Sequence, residues 1–371
     1  MDTTGRSVRA SIDFNGPLSA LSTSPSRRLV AVGGREVLKV VALEASGFAE
    51  RRNLRVGKSN LNFSTNDIRW HPQSESLLAT AATNGTVVIW NLQRDGFKNV
   101  QERVFSGHRR AVNRICWHPS EFNLLFSGSQ DGTIKLWDKR EKVSSTYQPK
   151  SESVRDVRVS PFQSHRFAAA FENGSVQIWD VRKNSQPEIK VQAHKGLVLA
   201  LDWHPTKSNL LASGGRDRYV KVWDLSDIRQ PRHTIQTIAS VGRVAWRPNC
   251  ADHIATSASL MDNSIHVWDV QHPCIPLASM KGHSDIASGI EWIDTPASPT
   301  FGQPYDSNVT EWEGLELWQH MLACSKDGTL KLHSLADSVK PHESLPTTAL
   351  ALNTRGHVLS PTTTSIDHVL P

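Results

Sequence analysis

The chain has 371 residues, of which 21% are charged and 38% are hydrophobic, a balance that supports a buried core and excludes a disordered chain. Its 42 basic and 36 acidic residues give a net charge of +6, an excess too small to indicate nucleic-acid binding. No stretch approaches the roughly 18 apolar residues of a membrane-spanning helix, and the polar N-terminus lacks the apolar segment of a secretion signal, so we expect neither.

The first predicted element is a strand over residues 7–14 (SVRASIDF), in which apolar residues alternate with polar ones. Seven similar units follow, from near Leu18 to near Leu335. A second alternating segment, 347–353 (TTALALN), lies beyond them. A closed array must pair its last unit with a strand from one terminus, so that no sheet edge is left open. We expect residues 7–14 to supply that strand, with 347–353 as the alternative.

Tryptophans mark the repeating units in two columns. The first column closes an alternating strand, as in QDGTIKLWD (130–138), and comprises Trp90, Trp137, Trp179, Trp223 and Trp268. The second column precedes a proline or charged turn, as in WHP, and comprises Trp70, Trp117, Trp203, Trp246 and Trp292. Each column recurs at roughly 45 residues, a period typical of a propeller array.

Each unit has the same internal order. An alternating stretch ends in a Pro turn (VNRICWHP), small residues follow (LLFSGS), and an Asp-Gly or Asn-Gly turn leads into the tryptophan strand. Asp-Gly between alternating runs is a strong hairpin signal. A Gly-His pair at 107–108 and 282–283 precedes the unit's closing Trp-Asp or its variant. These motifs resemble the WD40-repeat family, which implies an all-β, seven-bladed β-propeller over residues 1–335.

The WD40 resemblance also implies a hydrogen-bonded structural tetrad of His, Ser or Thr, Asp and Trp. The third unit supplies all four, and we predict that they are His108, Ser129, Asp131 and Trp137. A buried network of this kind stabilises a blade only when every member has a partner. We therefore expect the third blade to be the most rigid.

Two other units depart from the tetrad. The fifth has Gly215 where a hydroxyl is expected, and the seventh has Ser325 at that position but His333 in place of Trp. We expect both departures to leave the network incomplete.

An acidic insertion interrupts the seventh unit over residues 294–320. It carries five acidic residues and no Lys or Arg, and it ends in the motif EWEGLELW. We predict a partner-binding motif anchored by Trp312, Leu315 and Trp318, and the alternative is a solvated loop. The tail, 336–371, is rich in Ser, Thr, Pro and Gly and is expected to be mostly disordered.

Four arginines near the starts of the units are candidate partner-binding residues. They are Arg110, Arg155, Arg216 and Arg243, which a propeller places around one opening of its central channel. Acidic neighbours such as Glu172 support the alternative that these arginines are solvated or locally paired.

The sequence favours a non-enzymatic protein without cofactor or metal. It contains no phosphate-binding loop, no HExxH and no GxSxG motif, and its histidines largely belong to the repeats. None of its four cysteines forms a CxxC pair, which indicates reduced thiols rather than a zinc site. We expect no catalytic residues, no nucleic-acid binding and no direct insertion into a membrane.

Longer strings give a finer resemblance. The strings NLRVGK (53–58), LATAATNGTVVIWNL (78–92) and QTIASVGRVAWRP (236–248) resemble the N-terminal propeller of the WD repeat-containing protein 24 family, subunits of the GATOR/SEA nutrient-sensing complex. This resemblance implies a scaffold that promotes amino-acid signalling to TORC1 at the lysosomal or vacuolar membrane. It implies Seh-type and Sec-type propellers and other WD-repeat subunits as partners. The family's C-terminal zinc domain has no counterpart here, so its activities are not carried over.

A second motif suggests an alternative function. Two adjacent units end in WDxR, with Asp138 and Arg140 in one and Asp180 and Arg182 in the next. This pattern resembles the motif by which WD40 substrate receptors dock on the adaptor of the cullin-four ubiquitin ligase. The simpler reading is that these arginines are solvated.

Overall fold

A computed structural model describes residues 8–44, 46–55, 63–94, 100–141, 143–248, 250–293, 320–335, 351–352 and 358–359. Within this part of the chain, the strands form seven four-stranded antiparallel sheets and one short strand pair. The predicted seven-bladed β-propeller is confirmed. No described helix is long and apolar enough to cross a membrane.

The first half of the chain forms β1 and blades one to three. Each blade uses four consecutive strands that pair in chain order. The strands are β1 (Val8–Asp13), β2 (Leu18–Thr23), β3 (Leu29–Gly34), β4 (Leu38–Glu44), β5 (Gly47–Asn53), β6 (Thr65–Trp70), β7 (Leu77–Ala82), β8 (Thr86–Asn91), β9 (Gln101–Ser106), β10 (Val112–Trp117), β11 (Leu124–Ser129), β12 (Ile134–Asp138) and β13 (Val143–Tyr147).

The second half forms blades four to seven. Its strands are β14 (Val154–Val159), β15 (Arg166–Phe171), β16 (Ser175–Asp180), β17 (Ile189–Gln192), β18 (Val198–Trp203), β19 (Leu210–Gly215), β20 (Tyr219–Asp224), β21 (His233–Gln236), β22 (Val241–Trp246), β23 (His253–Ala258), β24 (Ile265–Asp269), β25 (Ala278–Met280), β26 (Ala287–Ile293), β27 (His320–Ser325), β28 (Thr329–Ser334), β29 (Ala351–Leu352) and β30 (Val358–Leu359). Blade seven contains β26, β27, β28 and β1.

The N-terminal strand closes the ring. β1 pairs antiparallel with β28, and Ala10 lies opposite Leu332 while Ile12 lies opposite Leu330. Of the alternative segment, 347–353, the structure describes Ala351 and Leu352, which pair with β30 instead. The closure buries the edge that blade seven would otherwise present to solvent.

The hydrophobic core lies between adjacent blades. One cluster joins Phe126 and Leu136 of blade three to Phe167 and Trp179 of blade four. Each such aromatic side chain removes roughly 150–250 Å² from water. A blade therefore buries its faces only against its neighbours, which explains why the repeats form a ring.

The WHP turns of blades two, three and five each contact the following blade. The indole Nε1 of Trp117 donates to the Arg69 carbonyl at 3.1 Å, and Trp203 donates likewise to the Arg158 carbonyl at 3.0 Å. The Nε2 of His118 lies 3.0 Å from the Ser164 carbonyl in the following blade. The histidines of the repeats thus have structural contacts between blades.

The first strand of each blade lines a central channel. We call the end of the channel with the glycine turns the upper face, and the end with the WHP turns the lower face. The turn at Gly132 has φ of 80°, and Gly174 has φ of 86°. A Cβ on Gly174 would lie 2.3 Å from the His194 carbonyl oxygen, so glycine is required there.

Candidate functional site: the channel and the two faces

Blade three contains a hydrogen-bonded tetrad, with one member different from the prediction. His108 Nδ1 lies 3.0 Å from Asp131 Oδ2, and His108 Nε2 lies 2.7 Å from the hydroxyl of Ser127. The indole of Trp137 donates to the same hydroxyl at 2.7 Å. The hydroxyl of the tetrad is therefore Ser127, and the prediction of Ser129 is wrong.

Ser129 has a different role. Its hydroxyl donates to the Ala111 carbonyl at 3.0 Å and accepts the backbone N–H of Asp131 at 3.1 Å, which fixes the turn. Both serines are fully buried on β11. Residues two apart on a strand face the same side, so the sequence pattern alone did not distinguish Ser127 from Ser129.

Blade five contains a complete tetrad, contrary to the expectation from Gly215. His194 lies 2.9 Å from Asp217 and 2.8 Å from the hydroxyl of Ser213, and Trp223 donates to Ser213 at 2.9 Å. Ser213 occupies the position equivalent to Ser127. Blades three and five therefore have the same complete network. The tetrad gives no reason to expect blade three to be more rigid than blade five.

Blade seven lacks the tetrad for two reasons. His333 replaces the tryptophan, as the sequence indicated, and the bridging serine is also absent. Ala323 lies at the position of the bridging serine, opposite Lys331, as Ser127 lies opposite Lys135.

The two histidines of blade seven are left with few partners. His283 Nδ1 contacts the Thr329 hydroxyl at 3.0 Å. His283 Nε2 and both ring nitrogens of the buried His333 have no hydrogen-bond partner among the described residues. Burial lowers the pKa of His333 to about 3.

The predicted serine of blade seven also has a different role. The Ser325 hydroxyl donates to the Asp285 carbonyl at 2.9 Å and accepts the backbone N–H of Asp327 at 3.2 Å. Ser325 is therefore the counterpart of Ser129, and the same correction applies.

Three of the four candidate arginines lie near the upper opening. Arg110 and Arg216 are exposed in turns, and their carbonyls accept hydroxyls from Ser129 and Ser240. Arg155 lies on β14 and forms a 2.9 Å ion pair with Glu172. The side chains of Arg110 and Arg216 are thus directed to solvent, while Arg155 is locally paired.

Arg243 lies elsewhere than predicted. It borders two cavities of the central channel, one of about 430 Å³ on the upper side and one of about 220 Å³ on the lower side. It is therefore an interior residue of the channel and not part of an exposed upper rim. Desolvation, with repulsion from Arg114, lowers the pKa of Arg243 to about 9, so the guanidinium stays charged at neutral pH.

The channel contains charged residues that the sequence patterns did not identify. Asp67, Asp156 and Asp202 each accept a backbone N–H from the neighbouring innermost strand or from their own. Burial raises the pKa of Asp202 to about 6, against the attraction of Arg158. The sequence did contain a pattern that could have identified these residues. Charged residues occupy the third and fifth positions of the first strand of several blades, as in TNDIRW and VRDVRV.

The two WDxR motifs form matching ion pairs on the lower face. Arg140 binds Asp138 through Nε at 3.0 Å and Nη2 at 2.8 Å, and Arg182 binds Asp180 through Nε at 2.9 Å and Nη2 at 2.6 Å. Both arginine side chains are about 70% exposed, at 71% and 70%. The bonds to the arginine hold the pKa of each aspartate below its usual value. Each arginine thus already has its carboxylate within the chain.

The other predicted contact residues fall outside the described part of the chain. Trp312, Leu315 and Trp318 belong to 294–319, which the structure does not describe. Among the described residues, no three His, Cys, Asp or Glu side chains are grouped so that they could hold a metal ion.

Comparison with known proteins gives the family. A family model described as Nucleolar protein 10-like, N-terminal domain, matches residues 52–259, more than half of the chain. The chain belongs to this family of β-propeller domains. A chain in a crystal structure of the mitotic checkpoint complex matches with a TM-score of 0.71, over 90% of this chain and 94% of that one. At 20% identity, that match shows the fold alone.

Several curated proteins are more similar in sequence. GATOR2 complex protein WDR24 from Homo sapiens is 44% identical over 92% of this chain, and the protein of that name from Danio rerio is 45% identical over 91%. The Drosophila melanogaster protein Wdr24 is 41% identical over 92%. This chain spans 40–41% of the length of these three relatives. The chain is therefore a member of the WD-repeat β-propeller family and resembles WD repeat-containing protein 24 across its seven blades.

Proposed function

We propose that the chain is a non-enzymatic protein-interaction scaffold and a subunit of a GATOR-type complex that promotes amino-acid signalling to TORC1. The observation that carries the proposal is the identity of 44% to the human GATOR2 complex protein WDR24, spread over 92% of this chain. A match over 343 residues is far longer than the repeat signature of a single blade.

The geometry suits a scaffold. The blades are joined by buried hydrogen bonds, and the ring is closed by β1, so the faces are held rigidly. The upper face presents Arg110 and Arg216 to solvent, together with the exposed apolar side chains Ile238 (73%) and Met261 (98%). Arginines beside exposed apolar residues are typical of protein-binding surfaces.

The partners and the location belong to the same proposal. We infer that the chain associates with Seh-type and Sec-type propellers and with other WD-repeat GATOR/SEA subunits. Its place is then in the cytoplasm and at the surface of the lysosome or vacuole, where it is held by its partners. The support is the resemblance to relatives named as GATOR2 complex proteins, of whose length this chain spans 40–41%.

The first experiment is affinity purification of the tagged full-length chain from its own cells, followed by mass spectrometry. Recovery of Seh-type and other GATOR/SEA subunits supports the proposal. The alternative of a ubiquitin-ligase receptor predicts a different result. The unaltered chain would then recover the cullin-four adaptor, and the double variant Arg140→Ala/Arg182→Ala would not. The self-contained pairs Asp138–Arg140 and Asp180–Arg182 argue against that alternative, because an adaptor would compete with them.

The surface test uses the upper face. Arg216→Glu combined with Met261→Glu is expected to reduce recovery of the GATOR/SEA subunits at unchanged expression. Arg140→Glu on the lower face is the matched control. Equal recovery of these subunits with the unaltered chain, the double variant and the control would contradict the assignment of the upper face.

Fluorescence microscopy of the tagged chain tests its location. A uniform cytoplasmic signal in amino-acid-fed cells would contradict the proposed place at the lysosome or vacuole.

A further inference from the structure

The lower cavity of the central channel is unusually rich in guanidinium groups. Five arginines from five different parts of the ring line it, and they are Arg27, Arg69, Arg114, Arg158 and Arg243. The carboxylates that line it are Asp67, Asp202 and Glu291, with Asp156 directly behind. The cavity therefore holds more positive groups than negative ones, in an interior where charge needs compensation.

Four of these arginines have a carboxylate close by. Arg114 lies 3.0 Å from Asp67, and Arg69 lies 3.5 Å from the same side chain. Arg158 lies 3.7 Å from Asp156.

The remaining pair lies near the lower opening. Arg27 contacts Glu291 at 3.3 Å. These four arginines are thus compensated within the protein.

Arg243 is the exception. Among the described residues it forms no ion pair, and its hydrogen bonds go to two backbone carbonyls, Gly242 at 3.1 Å and Ser19 at 3.5 Å. Among its charged neighbours, repulsion from Arg114 outweighs the attraction of Asp67 and of Asp156, neither of which pairs with it directly. Because this guanidinium stays charged at neutral pH, holding it in the interior without an ion-pair partner costs free energy.

The space around Arg243 is suited to a small ligand. The cavities of about 220 Å³ and about 430 Å³ both border Arg114 and Arg243, so these two side chains mark the junction between them. Arg114 and Arg243 come from blades three and six, and Arg69 and Arg158, from blades two and four, line the lower cavity with them. Guanidinium groups that converge from several sides fit a tetrahedral oxyanion, whereas a single planar fork would fit a carboxylate.

We propose that the central channel binds a small phosphate-type oxyanion at Arg243, with Arg114, Arg158 and Arg69 as the surrounding cations. The source is either inorganic phosphate or the phosphate of a small organic monoester. The anion gives Arg243 a direct ion-pair partner, which it lacks among the described residues, and joins blades on opposite sides of the ring. The site is independent of the partner-binding role proposed above, since it lies inside the channel.

The test measures the melting temperature of the full chain at matched ionic strength in chloride, inorganic phosphate and glycerol 2-phosphate. Phosphate is expected to raise the melting temperature above its value in chloride in a saturable way. Arg243→Met should weaken phosphate binding roughly 10- to 100-fold in calorimetry, the effect of losing hydrogen bonds to a charged group. Arg182→Gln, on the lower face, is the control and should bind phosphate as the unaltered chain does.

The melting temperature in chloride separates binding from folding. Because Arg243→Met removes an interior charge whose desolvation and repulsion from Arg114 outweigh its attractions, it should not lower that temperature. A loss of stability in chloride with an undiminished phosphate shift would show a structural role and overturn the proposal, as would equal melting temperatures of the unaltered chain in all three salts. If Arg243→Met does not fold, Arg243→Lys serves instead and should retain a weakened shift. Tighter binding of glycerol 2-phosphate than of phosphate assigns an organic monoester, and the reverse assigns the inorganic ion.

Discussion

The hydroxyl of Ser127 lies 2.7 Å from His108 Nε2 and also accepts the indole N–H of Trp137 at 2.7 Å. One buried oxygen thus connects the histidine that precedes the blade to the tryptophan that gives the repeat its name. The same connection recurs through Ser213 in blade five. In blade seven, Ala323 cannot make it.

Replacing Ser127 with Ala should lower the free energy of unfolding by about 1–3 kcal/mol, because it leaves the buried indole N–H of Trp137 and the Nε2 of His108 without a partner. The specific measurement is a double-mutant cycle by urea denaturation. Ser127→Ala and Trp137→Phe should be non-additive, while Ser129→Ala and Trp137→Phe should add, because Ser129 does not contact the indole. Equal coupling in both cycles would contradict the assignment of Ser127.

Asp131 should be as important to blade three as Ser127. Its carboxylate accepts from His108, from the backbone N–H of Arg109 and from Thr133, and these bonds hold its pKa far below its usual value. Asp131→Ala is expected to cost about 1–3 kcal/mol of stability. The control is Asp227→Ala, an exposed aspartate paired with Arg229, which should leave the melting temperature unchanged. An unchanged melting temperature for Asp131→Ala would refute the role.

Blade seven offers the converse experiment. Ala323→Ser would place a hydroxyl at the position of Ser127, within reach of His283 Nε2, which has no described partner. We expect a gain of about 0.5–1.5 kcal/mol, the net value of one hydrogen bond. Ala169→Ser at the same position of blade four is the control, because no His precedes that blade to receive the bond. A gain of the same size in both variants would show that the hydroxyl acts by some other contact.

His333 should make stability depend on pH. Its pKa is lowered to about 3 in the folded chain by burial, against about 6.5 in the unfolded chain. The unfolded chain therefore binds a proton more readily, and stability falls as pH drops below about 6.5, by up to about 1.4 kcal/mol per pH unit. Urea denaturation at pH 7.5, 6.0 and 5.0 measures this slope.

The variant His333→Phe isolates the contribution of that ring. Its slope between pH 6.0 and 5.0 should be shallower, because one titrating group with a depressed pKa is gone. The comparison variant Phe162→Leu changes an exposed apolar side chain that cannot titrate, so its slope should match that of the unaltered chain. An unaltered slope in His333→Phe would show that other groups control the acid response.

The sequence by itself determined the number of blades and their strand pattern. It favoured residues 7–14 over 347–353 as the strand that closes the ring, and the pairing of β1 with β28 decided between them. The two tryptophan columns, the Asp-Gly turns and the alternation in residues 7–14 are local signals. Each can be read within one segment of the chain, because the side chains of a strand alternate between its two faces. The family followed from longer strings such as QTIASVGRVAWRP (236–248), and the comparisons confirm it.

The tertiary structure decided which side chains meet. Ser127 and Ser129 face the same side of β11, so only the positions of His108 and Trp137 show which hydroxyl completes the tetrad. Arg243 was assigned to a rim because its strand begins there, yet its side chain enters the channel. The arginines that surround it, Arg69, Arg114 and Arg158, come from strands of other blades, at least 85 residues away in sequence. Their proximity is created only when the ring closes.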